Sequence, residues 1–227
     1  MPTWLVALAV TSLLLAAGCA AWMTADVRRH PQQMAVMNVV WPVTALFGSV
    51  VALWFYRRHG RADADDDPAM PVSVGKGALH CGAGCTLGDI VAETVAFLVP
   101  AVLVAFGYPG VFSERMFAVW GLDFVVAFII GIAFQYFAIA PMRGLGLRDG
   151  VVAAVKADAL SLTAWQVGMY VLMAVLVFGV FRPVYGTQPT ASSPAFWFAM
   201  QLAMLAGFAT AYPMNWWLVR SGVKERM

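Results

Sequence analysis

The chain alternates between long blocks of apolar residues and short polar connections. Six blocks can be distinguished, and each is close to the roughly 20 residues that an α-helix needs to cross a bilayer. Charged residues or turn sequences, such as GYPG at 107–110, separate the blocks. The pattern predicts an all-α integral membrane protein with six transmembrane helices, at residues 4–22, 34–56, 87–106, 116–140, 162–181 and 195–218.

The composition agrees with this class. Hydrophobic residues make up 62% of the 227 residues and charged residues 11%, whereas soluble domains have roughly 45–50% and about 25%. The short alternating segments of an outer-membrane β-barrel are not seen in the sequence. We therefore expect a multi-pass protein of the cell (inner) membrane, with the lipid bilayer as its first partner.

A change of composition divides the chain after the second apolar block. Residues 57–78 are rich in charge, proline and glycine, with an acidic run at 63–67, which predicts a solvated cytoplasmic linker. The linker would join a two-helix N-terminal hairpin, residues 1–56, to a four-helix unit, residues 79–227. Residues 143–161 are less apolar, and we expect them to form an interfacial helix before the fifth span.

The distribution of basic residues predicts the orientation. If the chain crosses six times, ten Lys and Arg residues fall on one side and four on the other, which places both termini in the cytoplasm. The first block has no Lys or Arg before it, so it lacks the charged start of a secretory signal peptide. A lipoprotein-type cleavage site with lipidated Cys19 stays open as an alternative to a small buried cysteine in a helix.

Candidate chemistry is concentrated between residues 80 and 93. His80, Cys81, Cys85, Asp89 and Glu93 lie there, in a chain with three cysteines and three histidines. Two sulfurs and an imidazole suit Cu(I), or Zn(II) with a fourth ligand from elsewhere. Because thiols stay reduced in the cytoplasm, we do not expect a structural disulfide there. The alternative to a metal site is that the cysteines are small residues that pack a helix entry and that His80 hydrogen-bonds a loop carbonyl.

Two local geometries are open for this segment. In a continuous helix, Cys81, Cys85, Asp89 and Glu93 follow one another at i, i+4 spacing and rise by about 18 Å. Carboxylates at such depth are costly without a polar partner or pathway. Alternatively, the TLGD sequence at 86–89 starts the helix near Cys85, and the preceding residues form a loop.

Other candidates lie outside this segment. Asp123, within the fourth block, would be a further polar step in the membrane, together with Asp89 and Glu93. His30, Met34 and Met37 cluster at the start of the second block and could supply outer thioether and imidazole ligands for Cu(I). Methionine is also ordinary filler in apolar helices.

Several segments of the chain resemble an uncharacterised family of bacterial and archaeal multi-span membrane proteins, a domain of unknown function. The resemblance covers about residues 79–227 and implies a four-span unit with no established activity. It is carried by HCGAGCTLGDI at 80–90, FQYFAIAPM at 134–142, KADALSLTAWQVGMY at 156–170 and YPMNWWLVRSGVKE at 212–225.

These observations together predict binding and transport of a soft metal ion, Cu(I) ahead of Zn(II), with a soluble metal carrier on the cytoplasmic side and with homo-oligomers possible. A thiol-redox or haem-associated membrane protein, or a scaffold with a structural metal, are the alternatives. Motifs of common enzyme classes are missing from the sequence. Nucleic-acid binding is not expected, because the basic residues flank the apolar blocks.

Overall fold

A computed structural model describes residues 1–61 and 68–226 of the chain. Within them, six helical segments are long and apolar enough to cross a membrane, which confirms the predicted all-α class. The predicted acidic run at 63–67 lies outside the described residues. The helices are α1 (Thr3–Arg29), α2 (Met37–Phe55), α3 (Met70–Leu98), α4 (Arg115–Arg143), α5 (Leu147–Leu176), α6 (Arg182–Tyr185) and α7 (Pro194–Arg220).

Helix α3 begins much earlier than the predicted third span. Pro71 stands in its first turn, where its missing N–H is not needed. Residues 73–75 are already buried, so the predicted solvated linker is wrong for residues 70–78. The sequence is misleading here because these small and polar residues pack against α7, where the Tyr212 hydroxyl donates to the Pro71 carbonyl at 3.1 Å.

Helix α5 likewise starts earlier than predicted. It runs without a break from Leu147, so residues 147–161 belong to a spanning helix and not to a separate interfacial one. Its charged Asp158 is fully buried, and the Lys224 ammonium lies 2.6 Å from its carboxyl. The compensating charge comes from the end of the chain, which local sequence does not reveal.

Helix α2 folds back on itself. In a straight helix Trp41 and Tyr56 would be about 22 Å apart, but their ring centroids are separated by 5.3 Å. The reversal lies at Ser49, whose φ of 46° and ψ of −127° interrupt the helix. A π-type turn, Tyr56–Gly60, continues the second arm. We call residues 37–60 the α2 hairpin.

Both ends of the α2 hairpin lie beside the C-terminal end of α1. The Asp26 carboxylate accepts hydrogen bonds from the Tyr56 hydroxyl at 2.8 Å and from the Arg61 guanidinium at 2.8 Å. The chain therefore leaves the hairpin at the end of the bundle where it entered, and α3 starts from that same end.

This reversal separates the two ends of the chain. The Ser12 hydroxyl donates to Gln201 at 2.8 Å, which places the N-terminal half of α1 level with the N-terminal half of α7. Helices α1 and α7 run in the same direction, so the start of α1 and the end of α7 lie at opposite ends of the bundle. This arrangement differs from the predicted one, in which both termini lie on one side, and the difference arises at Ser49, where α2 turns back.

A substitution at the contact between α3 and α4 tests how closely the two helices pack. A Cβ added to Gly88 would lie 2.4 Å from the Ala127 Cα, so Gly88→Ala has to push two backbones apart. We expect the substitution to lower the free energy of unfolding by about 1–3 kcal/mol or more. Thermal unfolding of the detergent-purified protein measures this.

Gly18→Ala is the matched control, since nothing lies within 4 Å of a Cβ at this helical position. Equal melting temperatures for the two variants would contradict the close contact.

Candidate functional site in the helix interior

One continuous helix carries the cysteine and carboxylate row. Helix α3 runs unbroken through residues 80–93, so the loop geometry does not occur. Cys81, Cys85 and Asp89 are fully buried and Glu93 is 7% exposed. The row therefore lies inside the helical bundle and not on a surface that faces lipid.

Small residues bring α4 directly against this row. A Cβ on Gly84 would lie 2.7 Å from the Cα of Gly131, and Gly88 meets Ala127 in the same way. The two helices are antiparallel, because each step of four residues up α3 is a step of four down α4. The same register places Asp123 one turn further along, beside Asp89 and Glu93.

Asp123 is held by helix α5. The Tyr170 hydroxyl lies 2.9 Å from the Asp123 Oδ2 and 3.0 Å from the Trp120 carbonyl. The Tyr170 ring stacks on Trp120 with centroids 4.7 Å apart, which fixes the hydroxyl in place. Asp123 therefore has a fixed orientation on the side of Asp89.

Polar atoms without partners gather around the two aspartates. Neither carboxyl oxygen of Asp89 makes a regular hydrogen bond within residues 1–61 and 68–226, and the same holds for the Gln166 amide and for Asp123 Oδ1. Cys85, Asp123 and Gln166 lie within electrostatic reach of Asp89. An unpartnered buried carboxylate is costly, and binding a proton or a metal cation removes that cost.

The row opens at one end into a cavity. Glu93 and Arg115 lie at the wall of a space of about 260 Å³, together with Trp120, Met173 and Gln188. The Arg115 guanidinium donates to the Ala96 carbonyl at 2.7 Å. The cavity gives the Glu93 end of the row an opening beside residues 188–191, which precede α7.

At the other end, His80 and a buried ion pair close the row. Both His80 ring nitrogens lack a hydrogen-bond partner in the described part of the chain, and the ring lies against Phe134. Beyond it, the Lys224 ammonium donates to Asp158 at 2.6 Å and to the Asn215 amide oxygen at 2.8 Å. A fixed cation thus lies between the row and this end of the bundle.

The predicted three-ligand metal set is not assembled. Within residues 1–61 and 68–226, no three His, Cys, Asp or Glu side chains are grouped so that they could hold a metal. His80 and Cys81 are neighbours on one helix and point about 100° apart, and His80 packs on Phe134 of α4. Cys81 and Cys85 remain as a pair of thiols one turn apart.

The predicted outer ligands lie between the end of α1 and the start of the α2 hairpin. His30 contacts Asp26 at 3.5 Å, Met34 is half-buried and Met37 is buried, all near the exit of the α2 hairpin. This is the end of the bundle at which α3 starts, and not the end of the Glu93 cavity. The reversal at Ser49 brings this end close to the start of α3, and a role of these residues as outer ligands stays a prediction.

The residues that surround the row lie within a recognised sequence family. The match covers residues 72–224 and carries the description Domain of unknown function (DUF4396). The chain belongs to this family. No curated protein and no solved structure matches the chain. All of α3 except its first two residues, together with α4, α5 and α7, lies in the DUF4396 range, whereas α1 and the α2 hairpin precede it.

Tyr170 and Lys224, both within the DUF4396 range, were not predicted from the sequence to be part of the site. Asp158, Gln166 and Tyr170 are spaced by eight and four residues, which is the spacing of one helix face, and this regularity could have indicated a polar face on α5. Lys224 follows the end of α7, and no local signal indicates that it turns back into the core.

The buried ion pair makes a testable contribution to stability. Lys224→Met leaves the Asp158 carboxylate buried without its cation, so we expect a loss of about 3–5 kcal/mol in the free energy of unfolding. Thermal unfolding in detergent measures the loss. The double variant Lys224→Met/Asp158→Asn should regain part of it, because the uncompensated charge is gone.

Glu225→Gln serves as the control, since the Arg143–Glu225 pair is exposed and should contribute about 0–1 kcal/mol. A double variant less stable than Lys224→Met would show that the pair does not act as a charge-compensating unit.

Proposed function

We propose that this protein moves a monovalent cation through the interior of the α3–α4–α5 unit, with Cu(I) as the metal substrate. The observation that carries the proposal is the row of buried thiols and carboxyls on α3, which leads from Cys81 to the Glu93 cavity. Intramembrane ionisable groups that face a bundle interior are typical of ion pathways.

The cysteine pair supplies the selectivity in this proposal. Cys81 and Cys85 are one helical turn apart on the same face of α3. Thiolates are soft ligands, and they favour Cu(I) over hard cations. Two sulfurs do not complete the four-coordinate tetrahedron that Zn(II) takes in proteins, so the pair favours Cu(I).

The carboxyls handle the protons that metal binding releases. A thiol must lose its proton to bind metal, so binding Cu(I) between Cys81 and Cys85 releases two protons. Asp89 and Asp123 are the neighbouring groups that can accept a proton, and Glu93 lies beyond them at the cavity. Metal movement in one direction is thereby linked to proton movement along the same row.

Access to the thiols from the other end passes His80 and the Lys224–Asp158 pair. A soluble copper carrier on that side would meet the ion pair first, because Cys81 and Cys85 are fully buried. We place this end in the cytoplasm of a cell with an inner membrane, since basic residues gather there.

Proton movement alone is the second candidate. It is favoured by the carboxyls of Asp89 and Asp123, which lie together with unpartnered oxygens, and by the lack of a three-ligand group in the described ranges. In that case, Cys81 and Cys85 would be small buried residues of the helix interior.

Copper binding tests the first candidate. The purified protein is loaded anaerobically with Cu(I) and then challenged with a chromogenic Cu(I) chelator. We expect near-stoichiometric copper in the wild type. We expect affinity to fall by at least about tenfold in Cys81→Ser and Cys85→Ser, because each substitution removes one of the two soft ligands.

Cys19→Ser is the matched control, as Cys19 is a buried cysteine of α1 outside the row. Copper retained in this variant and lost in the other two supports the proposal. No copper in the wild type after loading would rule out the metal substrate and leave the proton candidate.

Transport measurements on a variant of Asp89 test both candidate functions. We expect Asp89→Asn to abolish copper uptake into proteoliposomes, since the amide cannot take up a released proton, and to leave copper binding at the thiols intact. Asp149→Asn, an exposed position at the start of α5, should transport normally.

A pH-sensitive dye in the same vesicles reports proton flux. Proton flux without copper uptake, lost in Asp89→Asn, would select the second candidate. Wild-type rates for both ions in Asp89→Asn would contradict both candidates.

A further inference from the structure

We infer that the α2 hairpin is a re-entrant element that enters and leaves the membrane from one side. The chain then crosses the bilayer five times, and the N-terminal end of α1 lies on the side opposite to the C-terminal end of α7. This inference does not depend on the proposed function.

The length of the two arms supports re-entry. Residues 37–48 and 50–60 each form about three helical turns, or roughly 18 Å, against a hydrocarbon core of about 30 Å. The arms lie side by side, because a Cβ on Gly60 would lie 2.4 Å from the Trp41 ring. Neither arm alone is long enough to cross.

The tip of the hairpin is accommodated inside the protein. Irregular backbone at membrane depth is tolerated where protein satisfies its polar groups. The Gln201 amide donates to the Leu46 carbonyl at 2.7 Å, and Ser12 supports Gln201 from α1. The Phe47 ring packs on Trp165 with centroids 5.5 Å apart. Leu46 and Phe47, which precede the reversal at Ser49, thus contact α7 and α5 in the interior of the protein.

The distribution of charge supports the same arrangement independently. With a re-entrant hairpin, all but two of the 14 Lys and Arg residues fall at the end of the bundle where α7 terminates. The two exceptions are Arg115 and Arg182. Six crossings would move Arg28 and Arg29 to the sparse side. Because cytoplasmic ends collect Lys and Arg, the five-crossing arrangement fits the positive-inside rule better.

The tip also borders the cysteine helix. Phe47 and Met204 line a cavity of about 150 Å³ together with Thr86 of α3. Trp165, on which Phe47 packs, covers Gly82 of the HCGAGC segment, where a Cβ would lie 2.2 Å from the ring. The re-entrant hairpin therefore belongs to the wall of the interior.

Accessibility of single introduced cysteines tests the arrangement. Thr3→Cys, Ala35→Cys, Val111→Cys and Ser221→Cys are each treated with a membrane-impermeant maleimide, in spheroplasts and again after permeabilisation. All four positions are exposed, whereas the native Cys19, Cys81 and Cys85 are buried, so the wild type is the blank.

We expect Thr3→Cys and Val111→Cys to label in intact spheroplasts, and Ala35→Cys and Ser221→Cys to lose that labelling until the membrane is permeabilised. The Val111→Cys and Ser221→Cys variants are measured in parallel as references for the two sides of the membrane. If Ala35→Cys labels together with Val111→Cys, α2 crosses the membrane and the inference is overturned.

Discussion

The direct contact of the α3 and α4 backbones is the constraint on which the interior depends. Gly84 contacts Gly131, and Gly88 contacts Ala127. A Cβ atom at Gly84 or at Gly88 would have no room. Helices in lipid associate through such close packing of small residues, since they lack a hydrophobic driving force between them. This contact fixes the register of the two helices, and the register in turn brings Asp123 to the level of Asp89.

The compensation of charge differs between the ends of the bundle and its middle. At one end, Lys224 neutralises Asp158 within the core. At the other end, the Arg182 guanidinium lies beside Glu114 and holds the pKa of that carboxyl below its usual value. Between them, Asp89 has no cation beside it among the described residues. The carboxyls without a fixed cation therefore lie in the middle of the bundle, and in the proposed function this is where a cation would be held.

The class of the protein follows from its sequence, because blocks of apolar residues have few alternatives to membrane helices. The continuous α3 row was one of two geometries that the sequence allowed, and its i, i+4 spacing describes it correctly. His80 and the cysteines do not point to one common site, because neighbouring residues of a helix point in different directions.

The pattern of apolar residues did not predict the reversal of α2. Residues 34–56 have the length and apolar character of one span, and Pro42 and the Gly48–Ser49 pair are local signs of a bend within that block. What decides the fold is tertiary: the Asp26 carboxylate holds Tyr56 and Arg61 at one end, and Gln201 receives the tip. The pairing of Lys224 with Asp158 is tertiary in the same sense, as 66 residues separate the partners.

The position of the α2 hairpin has a consequence for how molecules could reach the interior. The DUF4396 range starts at residue 72, so the hairpin is an addition outside that range. Its Phe47 ring packs against Trp165, and Trp165 in turn covers Gly82 of α3. The N-terminal part of this chain thus separates the cysteine helix from the lipid phase. In the proposed function, exchange with the interior would then follow the bundle axis and not enter sideways from the bilayer.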